Sequence, residues 1–348
     1  MSSPVLPTVP KDISSEWLSK ILARKVRSVA VRKINPGTAT KVFITVAYEE
    51  EGAVTPVDLC VKGGFDPEMI KTMPWITMIY QRECDFFNHV ASKLDHIDLP
   101  QSLWAGHNST QGIVIMEDLA AQGCDFGNPA ETWSFSRVLA GVEQLAALHV
   151  KTWHVQATDY PWLTSDYDQA ILSLMDMYES VVKRADRPEI PDYLKDQGRV
   201  TAALKKHYAL RNPRFRCLLH GDSHTGNTYF VNGAPRFLDW QMIHIGSAFH
   251  DLSYFIGAAL TVEDRRAREW DIVEHYLRTL ERFGIEPLSL SDEEVAIEYK
   301  KSFLAGIGWI MCPYEMQPKE YVHPMVLRYA AALDDHKVLE LVEGLAVP

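Results

Sequence analysis

The segment HGDSHTGN at residues 220–227 carries the strongest indication of fold and chemistry in this sequence. Asp222 is followed five residues later by Asn227, and another carboxylate, Asp239, ends the next short strand-like run. Phosphoryl transfer uses such a set, because one carboxylate accepts the proton of the attacking hydroxyl while an amide oxygen and a second carboxylate hold Mg²⁺ at the phosphates. Hard divalent cations prefer oxygen ligands of this kind. The spacing therefore predicts Asp222 as catalytic base and Asn227 and Asp239 as metal ligands.

The residues that follow this segment predict a β-hairpin over Thr228–Asp239. Its turn falls at Asn232-Gly233, a dipeptide that tight hairpin turns favour. Because a hairpin places its two ends side by side, we expect it to bring Asn227 and Asp239 together.

The first third of the chain reads as a sheet with one main helix. Turn chemistry at Asn35–Thr38 and Glu49–Gly52 separates the early strands. The predicted strands are Val26–Ile34, Val42–Tyr48, Val57–Val61, Gln101–Ala105 and Gly112–Met116; the predicted helices are Ile13–Leu22, capped by Asp12, and Ile79–Leu94.

The chain becomes mostly helical beyond Asp118. Apolar residues recur at helical spacing over Trp133–Lys151, Tyr167–Arg184, Val200–Tyr208, Glu263–Arg282, Asp292–Met311 and Tyr321–Glu343. A boundary near Leu119–Gly127 divides the chain into an N-terminal lobe, 1–118, and a C-terminal lobe, 119–348. The pattern favours an α+β, two-lobed, protein-kinase-like fold, with an N-terminal antiparallel sheet and a helical lobe that carries the catalytic loop.

HGDSHTGNTYF, followed by FLDWQ and DLSYF, resembles the aminoglycoside phosphotransferase and choline kinase-like superfamily, and most closely its ecdysteroid kinase-like branch. The likeness extends over most of the chain. Supporting segments are LCVK ending at Lys62, RECDFFNHV with Glu83, IVIMEDL, LAALH with His149, and DRRAREWDIVEHYL.

The resemblance implies an enzyme that uses ATP and Mg²⁺. Lys62 would contact the α- and β-phosphates and pair with Glu83. The remaining nucleotide-binding residues would be Thr38 and Lys41, in a loop above the phosphates, and Met116, Glu117 and Leu119, at the hinge against the adenine. The first lobe would bind the nucleotide, and the second would carry catalysis and bind the acceptor.

Two departures from protein kinases bear on the substrate. The loop NPGTATK lacks the G-x-G-x-x-G pattern, so phosphate binding must rest on a less glycine-rich turn that Lys41 assists. Only a short stretch separates Asp239 from the predicted helix Ala248–Leu260, which leaves no room for a long segment to hold a peptide. We therefore expect a small-molecule acceptor. Because dense acidic clustering is not evident around Gln241–His250 or Trp309–Glu320, we expect this acceptor to be a hydroxylated, largely apolar metabolite.

Composition excludes other partners. The net charge of -11 over 348 residues argues against binding to nucleic acid or to an anionic membrane. The five dispersed cysteines are typical of reduced thiols. Because the sequence shows neither a secretory leader nor an apolar run of spanning length, we expect a cytoplasmic protein, either a monomer or a homodimer.

Other interpretations stay open at this point. His220, Asp222 and His224 alternate at period two, so a metal-dependent hydrolase could place all three on one face of a strand. A nucleotide-binding pseudokinase is a second alternative. Phosphorylation could also prime a hydroxyl for elimination or cyclisation. Supporting roles are expected for His220 and Asp251 in holding the loop and for His149 as a buried, hydrogen-bonded histidine.

Overall fold

Apolar residues that alternate along the chain build the N-terminal sheet. The protein is described here as a computed structural model covering residues 5–49, 55–163 and 167–346. The strands are β1 (Val26–Asn35), β2 (Thr40–Tyr48), β3 (Val57–Gly63), β4 (Ser102–His107), β5 (Gly112–Glu117), β6 (Asp125–Phe126), β7 (Arg216–Leu219), β8 (Thr228–Val231), β9 (Ala234–Phe237) and β10 (His244–Ser247).

The helices account for most of the second half of the chain. They are α1 (Ser15–Ile21), α2 (Pro67–Thr72), α3 (Ile76–His89), α4 (Phe135–Lys151), α5 (Tyr167–Leu174), α6 (Tyr178–Val182), α7 (Gln197–Ala209), α8 (Ala248–Ala259), α9 (Val262–Arg282), α10 (Glu293–Lys301), α11 (Ile307–Ile310), α12 (Lys319–Asp335) and α13 (Val338–Gly344). Among the described residues, none of the helices is both long and apolar enough to cross a bilayer.

The five-stranded sheet is antiparallel, with the order β1-β2-β3-β5-β4. Val42, Ile44 and Val46 on β2 are fully buried because every second side chain of a strand faces the same side. Helix α3 packs against β4 and β5. This arrangement confirms the predicted α+β fold with an N-terminal antiparallel sheet and a helical C-terminal region.

The described residues form two compact units. The N-terminal unit takes in residues up to Leu94, together with Asp98–Asp125 and Leu238–Ile243; the C-terminal unit takes in Asp95–Ile97, Phe126–Phe237 and the residues from His244 onward. Asp239 thus belongs to the N-terminal unit, although a boundary at Leu119 would place it in the second half. The assignment of nucleotide binding to 1–118 and of catalysis to 119–348 stays a prediction.

The predicted hairpin is present in the C-terminal unit. Strands β8 and β9 pair from Thr228 opposite Phe237 to Val231 opposite Ala234. Asn232 and Gly233 have φ angles of 52° and 79°, as a type I′ turn requires of its two central residues. The strand pairing stops at Phe237, two residues short of Asp239, so the meeting of Asn227 with Asp239 stays a prediction.

Several predicted helices are divided. The run 292–311 contains a 3₁₀ segment, Ser302–Gly306, and the run 167–184 contains another, Met175–Met177. The run 321–343 breaks where Lys337 adopts a left-handed backbone with φ 49°. The apolar spacing continues across such breaks because the same face stays buried, so periodicity alone misses them.

The cap of α1 was wrongly predicted. Ser14 caps this helix rather than Asp12, since its hydroxyl accepts the N–H of Trp17 at 3.1 Å. The turn predicted at Glu49–Gly52 lies mostly outside the described residues.

Candidate active site

A buried lysine with two carboxylates forms the first part of the site, within the N-terminal unit. Lys62 near the end of β3 is 3% exposed, and its Nζ lies 2.8 Å from Glu83 Oε1 and 2.8 Å from Asp239 Oδ1. Strand β3, helix α3 and the segment Leu238–Ile243 each supply one of these residues. We call Lys62, Glu83 and Asp239 the lysine cluster.

Trp240 fixes Glu83 within the lysine cluster. The Trp240 N–H donates to Glu83 Oε1 at 3.2 Å. The indole ring stacks on Phe86 with centroids 4.0 Å apart and planes 6° apart. Because Glu83 and Phe86 lie one turn apart on α3, the helix holds Trp240 by its backbone and by its ring together.

The charges of the lysine cluster are tightly coupled. Burial acts to lower the pKa of the Lys62 ammonium, but Asp239 and Glu83 outweigh it, and the net shift is upward. Burial raises the pKa of Glu83 against the opposing effect of Lys62. One ammonium therefore serves two carboxylates, and the cluster carries an excess of negative charge when all three groups are ionised.

Asp239 adopts an uncommon backbone conformation. Its φ and ψ are both 70°, in the left-handed region that few residues other than glycine occupy and that Asp and Asn tolerate best. Its side chain stays 21% exposed, whereas that of Glu83 is 3% exposed. Asp239 is therefore the carboxylate of the cluster that solvent ions reach.

The other predicted nucleotide-binding residues also lie in the N-terminal unit. Thr38 is exposed between β1 and β2, and its carbonyl accepts the hydroxyl of Tyr80 from α3. Lys41 stands opposite Lys62 across the β2–β3 pair. The position of Lys41 agrees with a role near the phosphates, which stays a prediction.

Met116 and Glu117 end β5, and Leu119 follows as a buried residue. The Glu117 carboxylate accepts the backbone N–H of Gln101 at 3.0 Å and the side-chain amide of Gln122 at 2.6 Å. These bonds hold the segment after β5 in place. Contacts of Met116, Glu117 and Leu119 with adenine stay predictions.

The second part of the site is the loop after β7, in the C-terminal unit. Asp222 Oδ1 accepts the hydroxyl of Tyr254 at 2.9 Å, and Oδ2 accepts the side-chain amide of Asn227 at 2.9 Å. The Asn227 amide also donates to the Asp222 carbonyl at 2.9 Å. His224 Nε2 lies 3.6 Å from Asp222 Oδ2. The carboxylate is thus oriented at both oxygens while its side chain stays 33% exposed.

Asp251 of α8 holds the backbone of this loop. Its carboxylate accepts the N–H groups of His220 at 2.7 Å and Gly221 at 2.9 Å. His149 Nε2 lies 3.1 Å from the same carboxylate, and its Nδ1 lies 2.7 Å from the hydroxyl of Tyr276. The structure confirms the predicted loop-holding role of Asp251 and the predicted satisfied, buried His149.

Both aspartates are biased toward the ionised form. Burial would raise the pKa of Asp222, but His224, the Tyr254 hydroxyl and His220 together lower it. Burial would also raise the pKa of Asp251, and its hydrogen bond and charge interaction with His149 lower it well below the usual value. Asp222 is therefore a carboxylate at neutral pH, as a proton acceptor must be.

The hydrolase alternative loses its geometric basis. Strand β7 ends at Leu219, and Gly221 has φ 81°, so His220, Asp222 and His224 do not alternate along a strand. His220 Nδ1 instead accepts the N–H of Asp222 at 3.3 Å. Within residues 5–49, 55–163 and 167–346, no three His, Cys, Asp or Glu side chains cluster so that they could hold a metal.

Sequence reasoning missed two residues of the site. Trp240 carries a signal in its position directly after Asp239, and Tyr254 lies within DLSYF, in the helix that also provides Asp251. Neither role follows from the residue type, because an aromatic residue at helical spacing more often serves the core.

The chain is similar in sequence to a kinase-like protein. An uncharacterized kinase-like protein of Caenorhabditis elegans is 24% identical over 222 residues, which cover 60% of this chain and 57% of that protein. The chain therefore spans less than two thirds of that relative's length.

Solved structures share the fold at low identity. The choline kinase LicA from Streptococcus pneumoniae superposes with a TM-score of 0.51 at 15% identity, covering 94% of this chain and 98% of that one. The amicoumacin kinase hAmiN, in complex with AMP-PNP, Ca²⁺ and Ami, gives 0.51 at 12% identity, covering 88% of each chain. The sequence model of the ecdysteroid kinase-like family matches residues 38–285, more than half of the chain. The protein therefore belongs to the ecdysteroid kinase-like family.

Proposed function

We propose that the protein transfers the γ-phosphoryl group of ATP to a hydroxyl of a small molecule, with Mg²⁺ held by Asn227 and Asp239 and with Asp222 as the base. The observation that carries this proposal is the lysine cluster, in which one buried ammonium lies 2.8 Å from each of two carboxylates. The sequence-based expectations of a cytoplasmic enzyme, monomeric or homodimeric, belong to the same proposal.

The two carboxylates of the cluster have different tasks. Glu83 is enclosed and also accepts the N–H of Trp240, so it can only orient Lys62. Asp239 is more exposed, and its negative charge is only partly balanced by the shared ammonium. An oxygen ligand with surplus charge suits a hard divalent cation. Lys62 is then left to contact phosphate oxygens.

Asn227 fits the same cation through its amide oxygen. Its amide nitrogen donates to both the carboxylate and the carbonyl of Asp222, so the oxygen is the atom left for a metal. When bound, the cation would neutralise phosphate charge. The bonds to Asp222 link the orientation of the metal ligand to that of the base.

Asp222 orients the acceptor hydroxyl and takes its proton. Its lowered pKa keeps the carboxylate ionised, and the bonds from Tyr254 and Asn227 fix its plane. In a loose phosphoryl-transfer transition state the proton leaves late, so a fixed, ionised carboxylate contributes by placement as much as by basicity.

The chain after Asp239 is short. A single 3₁₀ turn at Trp240–Met242 and the strand β10 occupy the residues before α8 begins at Ala248. A long peptide-binding segment has no counterpart in this described stretch, which supports a small hydroxylated acceptor, largely apolar in our proposal.

Calorimetric titration with ATP and Mg²⁺, followed by a screen of metabolite pools with γ-labelled ATP, tests the proposal. We expect wild-type protein and Asp222→Asn to bind MgATP alike and only wild type to label an acceptor. A wild type that does not bind MgATP would overturn the proposal. A wild type that binds it but labels nothing in any pool would favour the pseudokinase.

A further inference from the structure

A cavity of about 190 Å³ lies within the C-terminal unit. Its walls come from α5, α7, β7, β10, α8 and α10, and Tyr167 and Tyr208 supply aromatic surface. Asp222 and Asn227, which belong to the same unit, are absent from the described residues that line it. The described lining of the cavity therefore does not include the side chains proposed to act on the acceptor hydroxyl.

Unsatisfied polar atoms gather around this cavity. Side chains that line it include several with a buried atom that has no hydrogen-bond partner in the described part of the chain, among them Asp168 Oδ1, His207 Nδ1, Arg216 Nε and His250 Nε2. An unsatisfied buried polar atom costs about 1–3 kcal/mol, and native proteins pair nearly all such atoms. These unsatisfied atoms therefore favour a polar molecule in the cavity.

His250 presents a hydrogen-bond acceptor. It is 6% exposed, and burial lowers its pKa, so the ring is neutral. The ring bonds to the backbone of Gly221, and this bond favours protonation, so the imidazole donates to the Gly221 carbonyl. Because Nε2 has no partner, the donor is Nδ1, and Nε2 carries a lone pair. This bond connects the cavity wall to the residue preceding Asp222.

The charged side chains that line the cavity form two ion pairs and leave the positive charge of Arg216. Arg211 pairs with Asp168, and Lys301 lies 2.9 Å from Glu298. What remains is a mixture of acceptors, at Asp168 and His250, a donor at Arg216 Nε, and the ring nitrogen Nδ1 of His207. A bound anion would face the acceptors, and a bound cation would face the Arg216 guanidinium. A hydroxyl group both donates and accepts, so several hydroxyls on an uncharged molecule match the set.

We propose that this cavity binds a small, uncharged polyol at a site separate from the phosphoryl-transfer centre. The volume falls below the ~300 Å³ at which drug-sized pockets begin, so a ligand of monosaccharide or cyclitol size suits the cavity. The aromatic walls suit the C–H faces of such a molecule, and the bound polyol steadies the catalytic loop through His250 and Gly221.

Isothermal titration of the full chain without nucleotide tests this site, with glycerol, myo-inositol and D-glucose as probes and inorganic phosphate and tetramethylammonium as charged controls. We expect at least one polyol to bind with a millimolar Kd and neither charged probe to bind as well. Thermal shift alone is unsuitable, because polyols stabilise proteins by exclusion from their surface.

Two variants locate the binding. Ala157 is an exposed residue of the cavity lining, and Ala157→Trp should weaken polyol binding at least about tenfold, or 1.4 kcal/mol. Ala202→Trp, at an exposed position of α7 outside the lining, should leave it unchanged. His250→Phe removes the Nε2 acceptor at similar size and should also weaken binding.

Absence of polyol binding by the wild type would mean that water alone fills the cavity and would overturn the proposal. Equal affinity in wild type and Ala157→Trp would overturn it as well. Because the titration uses neither nucleotide nor turnover, either failure leaves the proposed kinase chemistry untouched.

Discussion

The lysine cluster and the loop around Asp222 hold their carboxylates by different means. In the cluster, Glu83 and Asp239 are held by one buried ammonium, and the three residues come from distant parts of the sequence. In the loop, Asp222 accepts hydrogen bonds from Tyr254 and Asn227, and His224 lies 3.6 Å from its carboxylate. The buried Asp251 accepts the backbone N–H groups of His220 and Gly221. The cluster thus depends on charge balance, and the loop depends on hydrogen-bond geometry.

The comparison teaches which substitutions each region tolerates. An isosteric change that removes charge, such as Asp to Asn, should disturb the lysine cluster more than the loop around Asp222. At Asp222 the same change should preserve the conformation of the loop and remove only the ability of the side chain to take a proton.

The largest effect is expected at Asp239. Asp239→Ala removes a proposed metal ligand and one of the two carboxylates on Lys62, so turnover should fall by at least about 10³-fold, since metal stabilisation supplies several kcal/mol. Asp239→Asn tolerates the left-handed backbone and should be nearly as inactive, which separates charge from conformation. The measurement is kcat at saturating Mg²⁺. Asp271→Ala, at an exposed aspartate that pairs with Arg268, is the control. Near-normal turnover in Asp239→Asn would contradict the metal assignment.

A second large effect is expected at Asp222, with a different signature. Asp222→Asn can accept from Asn227 through its oxygen and donate to the Tyr254 oxygen, so the loop should keep its shape. Positioned general bases contribute about 10²–10⁴-fold, and the loss should fall on kcat while MgATP affinity stays within about threefold of wild type. Loss of MgATP binding in this variant would show that the conformation of the loop, like that of the lysine cluster, depends on charge.

Asp251 tests the support of the loop through stability. Asp251→Ala leaves the N–H groups of His220 and Gly221 and the ring of His149 without their acceptor, and breaking a buried pair of this kind costs about 3–5 kcal/mol. Because the folded-state pKa of Asp251 is lowered, its contribution to stability is fully present above the unfolded pKa of about 3.9. That contribution is lost as the pH falls from there toward the lower folded pKa.

Urea unfolding at neutral pH measures the loss of stability in Asp251→Ala. Urea unfolding at steps below pH 4 measures how the contribution of Asp251 depends on pH. Asp251→Asn should show a flatter fall in the free energy of unfolding over the acid range than wild type. Identical slopes would mean that Asp251 is not preferentially ionised in the folded protein.

The loop was predictable from sequence because its residues are contiguous. Asp222 and Asn227 lie five positions apart, and the turn at Asn232-Gly233 follows directly, so local spacing determines their relation. The role of Asp251 was predictable for a similar reason, since it falls in the next helix along the chain.

The cluster was predictable only in part. The resemblance brought Lys62 and Glu83 together, but only the fold places Asp239 on the same ammonium, and no local pattern reports a left-handed φ at a non-glycine residue. The packing of Trp240 on Phe86 joins positions 154 residues apart, as their numbers show, which periodicity cannot report. The cavity around His250 likewise depends on helix packing that single-sequence patterns do not encode.

A double-mutant cycle at Lys62 and Glu83 should show moderate losses of kcat/KM and tests whether the two side chains act as a unit. Lys62→Met should reduce kcat/KM by about a hundredfold, near the upper end of the 1.5–3 kcal/mol of a charged hydrogen bond. Glu83→Gln should cost about tenfold, because Lys62 keeps Asp239 as partner. The double variant should resemble Lys62→Met, with a coupling of about 0.5–3 kcal/mol. Additive losses would show that the 2.8 Å contact between the two residues does not contribute to activity.

The smallest effect is expected at Tyr254, and it falls on the pH profile. The Tyr254 hydroxyl donates to Asp222 Oδ1 at 2.9 Å and helps to lower the pKa of that carboxyl. Tyr254→Phe removes the donor without opening a large void, so the pKa of Asp222 should rise. Activity needs the ionised base and is lost as the pH falls through its pKa. The acid limb of kcat/KM should therefore move to higher pH. Tyr178→Phe removes a similar buried bond, to the Leu194 carbonyl at 2.6 Å, and should leave that limb in place. If both variants shift the limb equally, the effect is a general loss of stability. If only Tyr254→Phe shifts the acid limb, the hydrogen bond from the neutral Tyr254 hydroxyl lowers the pKa of Asp222.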